Sequence, residues 1–296
     1  MQVFLRKNLM QQKNIDRLIQ ESLAIEAQEA KEAGSLGFMG RALVQATMPH
    51  RKTEGNEFVR ENGAFKLTIL APSEVGLPYG SIPRLLMAWL TTEAVKTKQR
   101  DIILGRSLSE FMSKIDIIPT GGRWGSISRL KNQMQRLFSS VVSCHYKDKM
   151  GIANINLQVT DEYQLWWEPK QPEQITLWES NIRLSERFFQ EIINNPVPLN
   201  MDVLKAIKKS PLAIDIYCWV TYRMSYLKKP TEISWWTLQS QFGSSYSKDP
   251  QGKRNFKRAF VKELKKVQMF YPDAKVDESN SGLTLTPSRT HILSTK

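Results

Sequence analysis

The sequence predicts a mainly α-helical α+β protein with small β-hairpins, and three observations carry that expectation. The segment Lys253 to Val267, KRNFKRAFVKELKKV, puts Phe256, Phe260, Leu264 and Val267 on one side of a helix, with Arg254, Arg258, Lys262 and Lys265 opposite. Glu263 is its only acid, although a solvated helix ordinarily mixes its charges to relieve repulsion. A second segment, from about Ser126 to Val142, divides in the same way. Both sit last but one in a series of helix, strand, helix, turn, helix and hairpin, offset by about 127 residues when Ser126 is set against Lys253. Two such series predict two winged-helix domains in tandem, residues 61–180 and 181–296 with a C-terminal tail, behind an N-terminal helical arm and loop over 1–60.

The chain has 296 residues, enough for about two domains, with 42 Lys and Arg against 29 Asp and Glu and a formal charge of +13. That balance implies a polyanionic partner, of which nucleic acid is the commonest. Its apolar runs are too short to span a bilayer and its N-terminus turns polar too early for a signal peptide, so a soluble cytoplasmic protein without membrane contact is expected. Cys144 and Cys218 are too few for a disulfide framework and read as reduced, packed thiols. His50, His145 and His291 are scattered, which argues against a zinc site. The glycines of GSLGFMG lack the spacing and the lysine of a phosphate loop. No metal or other cofactor is expected, nor is an enzyme: a nicking nuclease wants clustered metal ligands beside its tyrosine, and Tyr222, Tyr226, Tyr246 and Tyr271 have none.

From Leu9 to Glu32, Ile15, Leu18, Ile19 and Ile25 recur at loose helical spacing. This arm is either solvated or a self-association or partner-binding element. Gly55 to Gly63 reads as a polar loop and Phe65 to Leu70 as a strand. Ser81 to Pro83 open a helix buried through Leu85, Leu86, Trp89 and Leu90, and a strand follows at Ile102 to Leu104. Ser107 and Glu110 form a capping box ahead of a short helix, which Pro119 to Gly125 breaks. The helix from Ser126 then buries Ile127, Leu130, Met134, Leu137, Phe138 and Val141. Val142 to Tyr146 and Ala153 to Val159 read as the strands of a wing with a basic tip. Trp166, Trp167 and Trp178 lie in a strand and linker, where they close a core and a domain contact or stack on bases.

Ile182 to Asn194 reads as a helix stopped by Pro196 and Pro198. The second series then begins: a helix from Pro211 to about Leu227, a strand at Ile233, and a helix over Trp235 to Phe242 capped by Ser234 and stopped by Gly243. After a polar turn the cationic helix follows, and Lys275 to Thr286 offers the second hairpin.

In a helix-turn-helix the last helix enters the major groove, and two such units on one polypeptide reach grooves about one turn apart. The front of the first groove helix holds Ser128, Arg129, Asn132, Gln135, Arg136 and Ser139 and no acid. Arg and Asn match guanine and adenine edges. Arg129, Asn132 and Arg136 are therefore expected to read bases, with Ser128 beside them and Arg123, Lys147 and Lys149 on phosphates. In the second unit Arg254 and Arg258 are candidates for bases, and Lys257, Lys262 and Lys265 for the backbone, with Lys253 at the helix start. The bland alternative for each is a solvated face.

Four linked segments carry a family resemblance: GSLGFMGRALVQATMPHR from Gly34, GLPYGSIPRLLMAWLTTEAVKT from Gly76, LGRSLSEFM from Leu104 and GGRWGSISRLKNQMQRLF from Gly121. Together they resemble plasmid-encoded RepA-type replication initiators, similar in architecture to repeat-binding initiators of the TrfA and RepE kind. The resemblance covers about residues 34 to 180. It implies a bacterial initiator that binds direct repeats in double-stranded DNA at an origin as a monomer, helps open an AT-rich tract, and recruits the host replicative helicase and host initiator. It also implies a homodimer in equilibrium with the monomer that represses its own gene and so bears on plasmid copy control. The alternative is a tandem winged-helix transcriptional repressor without initiator activity.

Overall fold

The structure is a computed structural model, and it describes residues 47–62, 65–148, 151–194, 199–289 and 291. The helix expected over Leu9 to Glu32 lies outside the described residues, as do Lys149 and the first two of the three glycines after Ala33 together with the third. The first elements among the described residues are two strands, β1 (Glu57–Asn62) and β2 (Phe65–Leu70). A strand therefore occupies most of the stretch read as a polar loop: EFVREN is an edge strand in which Phe58 is buried between the exposed Glu57 and Val59.

Helix α1 (Ser81–Thr97) follows, then β3 (Asp101–Gly105), α2 (Leu108–Lys114) and α3 (Ser126–Phe138). Ser107 caps α2 by accepting the Glu110 amide. Helix α3 is shorter than expected. It stops at Phe138 because Ser139 and Ser140 intervene and Val141 already belongs to a strand, its amphipathic spacing there being shared by chance with a period of two. Strands β4 (Val141–Asp148) and β5 (Gly151–Gln158) form the expected hairpin. Its place differs from the wing expected: β4 pairs with β2, giving a four-stranded sheet of order β1-β2-β4-β5 over a small core of Phe58, Leu67, Ile69, Leu77, Val142 and Cys144.

The partner of β3 comes from further along. Strands β6 (Thr160–Gln164) and β7 (Ser180–Leu184) pair with each other, and β7 pairs with β3, in the order β3-β7-β6. Ser180 to Leu184 thus forms a strand where the start of a helix was expected, its alternate residues buried, and the helix proper is α4 (Glu186–Asn194). The unpredicted α5 (Met201–Ile207) is capped by Asn200. Then come α6 (Pro211–Tyr226), β8 (Thr231–Ser234), α7 (Trp235–Phe242), α8 (Pro250–Phe270), β9 (Lys275–Glu278) and β10 (Gly282–Thr286). The last sheet has the order β8-β10-β9. Both three-stranded sheets therefore place the strand that follows the first helix next to the second strand of a later hairpin.

Two large apolar cores result. The first joins Leu86, Trp89, Leu90, Phe111, Leu130, Met134 and Phe138 to Ile182, Leu184, Phe188 and Ile192, so β7 and α4 pack with the elements before them. The second is built on α6, whose Ile214, Tyr217, Trp219 and Val220 are buried together with Leu238, Phe242, Phe256, Phe260, Leu264 and Val267. Leu85 of α1 belongs to this second core. Helix α1 is thus apolar on two sides, as a helix wedged between two layers must be.

Candidate nucleic-acid interface

On α3 the expected division of faces holds at the level of burial. Ile127, Leu130, Met134, Leu137 and Phe138 are buried, and Ser128, Arg129, Lys131, Asn132 and Gln135 are exposed. The loop ahead of it is rigidly held: the Ser126 amide donates to Thr120 Oγ1 at 2.8 Å, the Thr120 amide to Ser126 Oγ at 2.9 Å, and Ser126 Oγ to Ile118 O at 2.6 Å. Gly125 is required here, since a Cβ would stand 2.2 Å from Thr120 O. Ser128 Oγ donates to Gly122 O at 3.0 Å and ties the loop to the polar face. At its tip Arg123 lies over the Trp124 ring, 5.1 Å from the centroid.

Arg136 is placed differently from Arg129. Its Nε donates to Asn132 Oδ1 at 2.7 Å and its Nη1 to Leu77 O at 3.0 Å, and the guanidinium lies 5.6 Å from the Tyr79 ring centroid. Gly76 closes over it with φ +79, leaving no room for a side chain. The Arg129 side chain is exposed and makes no hydrogen bond or ion pair to a described residue, while its amide bonds Gly125 O at 3.2 Å. Of the β4–β5 tip, Lys147 is described in its strand pairing with Ile152 only.

Helix α8 begins at Asp249, whose side chain accepts the Gly252 amide at 2.6 Å and the Ser247 hydroxyl at 2.8 Å; these bonds hold its carboxyl below the ordinary range. Its buried stripe is the expected one, Phe256, Phe260, Leu264 and Val267. Lys253, Arg254, Arg258, Lys262 and Lys265 are exposed. Lys253 Nζ lies 5.1 Å from the Trp236 ring centroid, Arg254 donates to Gln251 and Arg258 to Asn255. Lys257 is pinned inward: Nζ donates to Ser279 O at 3.1 Å, pairs with Glu278 at 3.3 Å and sits over Trp235. The first turn of α8 holds no acid, and Lys253 and Arg254 face the positive end of the helix dipole. The Asp249 carboxylate at the cap offsets part of that field, and the Arg254 charge in turn helps hold its carboxyl low.

A buried polar cluster fixes the two cores against each other. Arg84 of α1 donates from Nε to Asp215 Oδ1 of α6 at 2.6 Å and from Nη2 to Oδ2 at 2.8 Å, and also to the carbonyls of Met48 and Gly80. His50 Nε2 donates to Asp215 Oδ2 at 2.7 Å. Burial pushes Asp215 up, but the Arg84 charge and the His50 and Arg84 hydrogen bonds together more than offset it and hold the carboxyl below its ordinary value. Burial likewise holds His50 below its ordinary value, against the opposite pull of Asp215. Lys208 Nζ to Asp116 Oδ2, 2.5 Å, and Thr47 Oγ1 to Gln241 O, 2.9 Å, add further ties. Sequence reasoning missed this cluster. Its signal was a single charge in each of two otherwise apolar helical runs, Arg84 in SIPRLL and Asp215 in PLAIDIYCW.

With this geometry in place, comparison with known proteins is informative. A family model described as plasmid-encoded RepA protein matches residues 77–237, more than half of the chain. The chain belongs to the plasmid-encoded RepA family. No curated protein matches it. Among solved structures, this RepA-family chain is similar to RctB domains 2-3 (RctB-155-483), with a TM-score of 0.54, 11% identity, and coverage of 82% of this chain and 94% of that one. It is also similar to a selenomethionine form of domains 2 and 3 of RctB, with a TM-score of 0.57, 11% identity, and coverage of 86% and 99%. At that identity the likeness establishes the fold. The family-model match, residues 77–237, runs from α1 to the start of α7, so it takes in the first groove-helix candidate and the Arg84–Asp215 pair, with His50 outside it. Helix α8 lies beyond it. No described helix is long and apolar enough to cross a membrane.

Proposed function

We propose that this RepA-family chain initiates plasmid replication by binding repeated sites in duplex DNA at an origin through two winged-helix units, whose groove helices are α3 and α8. The observation that carries the proposal is the pairing of like with like: each three-stranded sheet, β3-β7-β6 and β8-β10-β9, accompanies a helix with an apolar back and an acid-poor front. In this reading the first unit's wing is the β6–β7 hairpin, and β4–β5 is an insertion that completes a separate sheet. The unit boundary falls after α4, near residues 195–200, because Phe188 and Ile192 pack with the first core.

Arg129 and the amide of Asn132 are the base readers of the first unit. Arg136, held by Leu77 O, serves as a brace that orients the Asn132 side chain, so its loss acts through Asn132. In the second unit Arg254 and Arg258 read bases, while Lys253, Lys262 and Lys265 neutralise phosphates. Lys257 positions the β9–β10 turn against α8. Binding by both units would bend a short site at a cost of about 1 to 6 kcal/mol for 40 to 90°. That strain favours opening of an adjacent AT-rich tract without any nucleotide hydrolysis by this chain. Recruitment of the host helicase and host initiator, a monomer–dimer equilibrium and repression of the chain's own gene are parts of the same proposal.

Permanganate probing of a supercoiled plasmid carrying the chain's own origin tests the initiator role. Protein-dependent thymine reactivity beside the repeats supports it. Repeat binding with no reactive thymines would make the chain a repressor with the same two domains.

A further inference from the structure

Trp124 stands in the loop ahead of α3, next to Arg123. It is 80% exposed, and Ile118 in the same loop is 78% exposed. An indole so placed loses its apolar surface to water unless something covers it. The loop is not a slack one. Three hydrogen bonds among Thr120, Ser126 and Ile118 hold its base, Gly125 permits the close backbone approach, and Ser128 Oγ bonds Gly122 O. The last of these bonds fastens the loop to the α3 face that carries Arg129. Arg123 stacks on the indole at 5.1 Å and supplies a charge beside it. A braced loop thus presents an exposed indole with a guanidinium over it, and carries a second exposed apolar residue, just ahead of a groove helix.

Resting on the reading that α3 enters the major groove, we propose that Trp124 is a wedge that packs against a flanking base step of the duplex and partly unstacks it, with Arg123 on the adjacent phosphate. Apolar side chains inserted in this manner kink DNA, most easily at pyrimidine–purine steps such as TA and CA. Trp124 would then set the preference of the first unit for a deformable step that α3 itself does not touch. It would also localise the bend.

The test uses the full chain and a duplex carrying the plasmid's own origin repeat, with 2-aminopurine at successive positions flanking the α3 site and a donor and acceptor dye at the ends. Wild-type protein should brighten 2-aminopurine at one step and shorten the end-to-end distance. Trp124→Ala should abolish the brightening, relax the bend and weaken binding about tenfold, while the salt dependence and the melting curve stay as in wild type. Trp124→Phe should restore most of the signal. Unchanged brightening and bend in Trp124→Ala would overturn the wedge. So would intact bending with lost self-association by sedimentation, which would assign Trp124 to a protein contact. Arg129→Ala serves as the control: if it too leaves binding unchanged, the groove reading of α3 fails; if only Trp124→Ala is silent, the wedge alone fails.

Discussion

Replacing Asp215 by Ala should destabilise the protein by about 3 to 5 kcal/mol, the usual cost of stranding one partner of a buried ion pair. The magnitude follows from what is left behind. Arg84 is 5% exposed, and its Nε and Nη2 both point at the Asp215 carboxylate, at 2.6 and 2.8 Å. Without that carboxylate the guanidinium keeps its bonds to the Met48 and Gly80 carbonyls but loses its counter-charge, and His50 loses its acceptor. In equilibrium terms the folded fraction relative to the unfolded falls by between about two and four powers of ten. Urea unfolding near pH 7.5, followed by circular dichroism and tryptophan fluorescence together, provides the measurement, since coincident curves show whether both cores melt as one. The double replacement Arg84→Met with Asp215→Leu removes both charges, and it should cost less than Asp215→Ala alone. A loss below about 1 kcal/mol in Asp215→Ala, or a double variant worse than the sum of its singles, would refute the reasoning.

The same cluster predicts a pH dependence. His50 has a folded value below its unfolded 6.5, so its contribution is present above pH 6.5 and is lost as pH falls from there through the folded value. Unfolding free energy should decline over that window in wild type and decline less in His50→Gln, by urea titrations at several pH values. Asp215, also lowered, adds a further loss only below its ordinary 3.8. Arg129→Ala should cost about 1 to 3 kcal/mol on the origin repeat and much less on scrambled DNA. Lys262→Ala and Lys265→Ala should weaken both sequences alike and lower the salt slope by about 0.9 for each lost contact, in fluorescence titrations over a salt series. Gly252→Ala, whose Cβ would stand 2.1 Å from Ser247 O, should cost about 1 to 3 kcal/mol in thermal or urea unfolding and loosen the start of α8.

What could be read from the residues was local. The α3 and α8 faces announce themselves because Phe256, Phe260, Leu264 and Val267, or Ile127, Leu130, Met134 and Phe138, recur with the helical period, and because acids are scarce opposite them. Ser107 and Ser234 mark helix starts for an equally local reason, a hydroxyl placed to accept an amide three residues on. Pairing between distant strands leaves no such mark. Nothing in Ile102 to Leu104 says that its neighbour is Ser180 to Leu184 rather than the nearer hairpin, because strand alternation specifies a face and leaves the partner open. For that reason the β4–β5 hairpin, correct as a hairpin, was expected as the wing and instead joins β2. The surroundings of individual polar residues on α3 are equally unmarked in the sequence. Arg129 and Arg136 look alike on a helical projection, and only the loop at Gly76 and Leu77 distinguishes an exposed guanidinium from one already held.

The most direct test of two groove-entering helices on one chain is a hydroxyl-radical footprint on the plasmid's own origin repeats. Wild-type protein should protect two backbone patches about one helical turn apart on one DNA face. Arg129→Ala with Asn132→Ala should weaken one patch, and Arg254→Ala with Arg258→Ala the other. A single patch, or loss of both patches in either variant with the fold intact, would contradict the account.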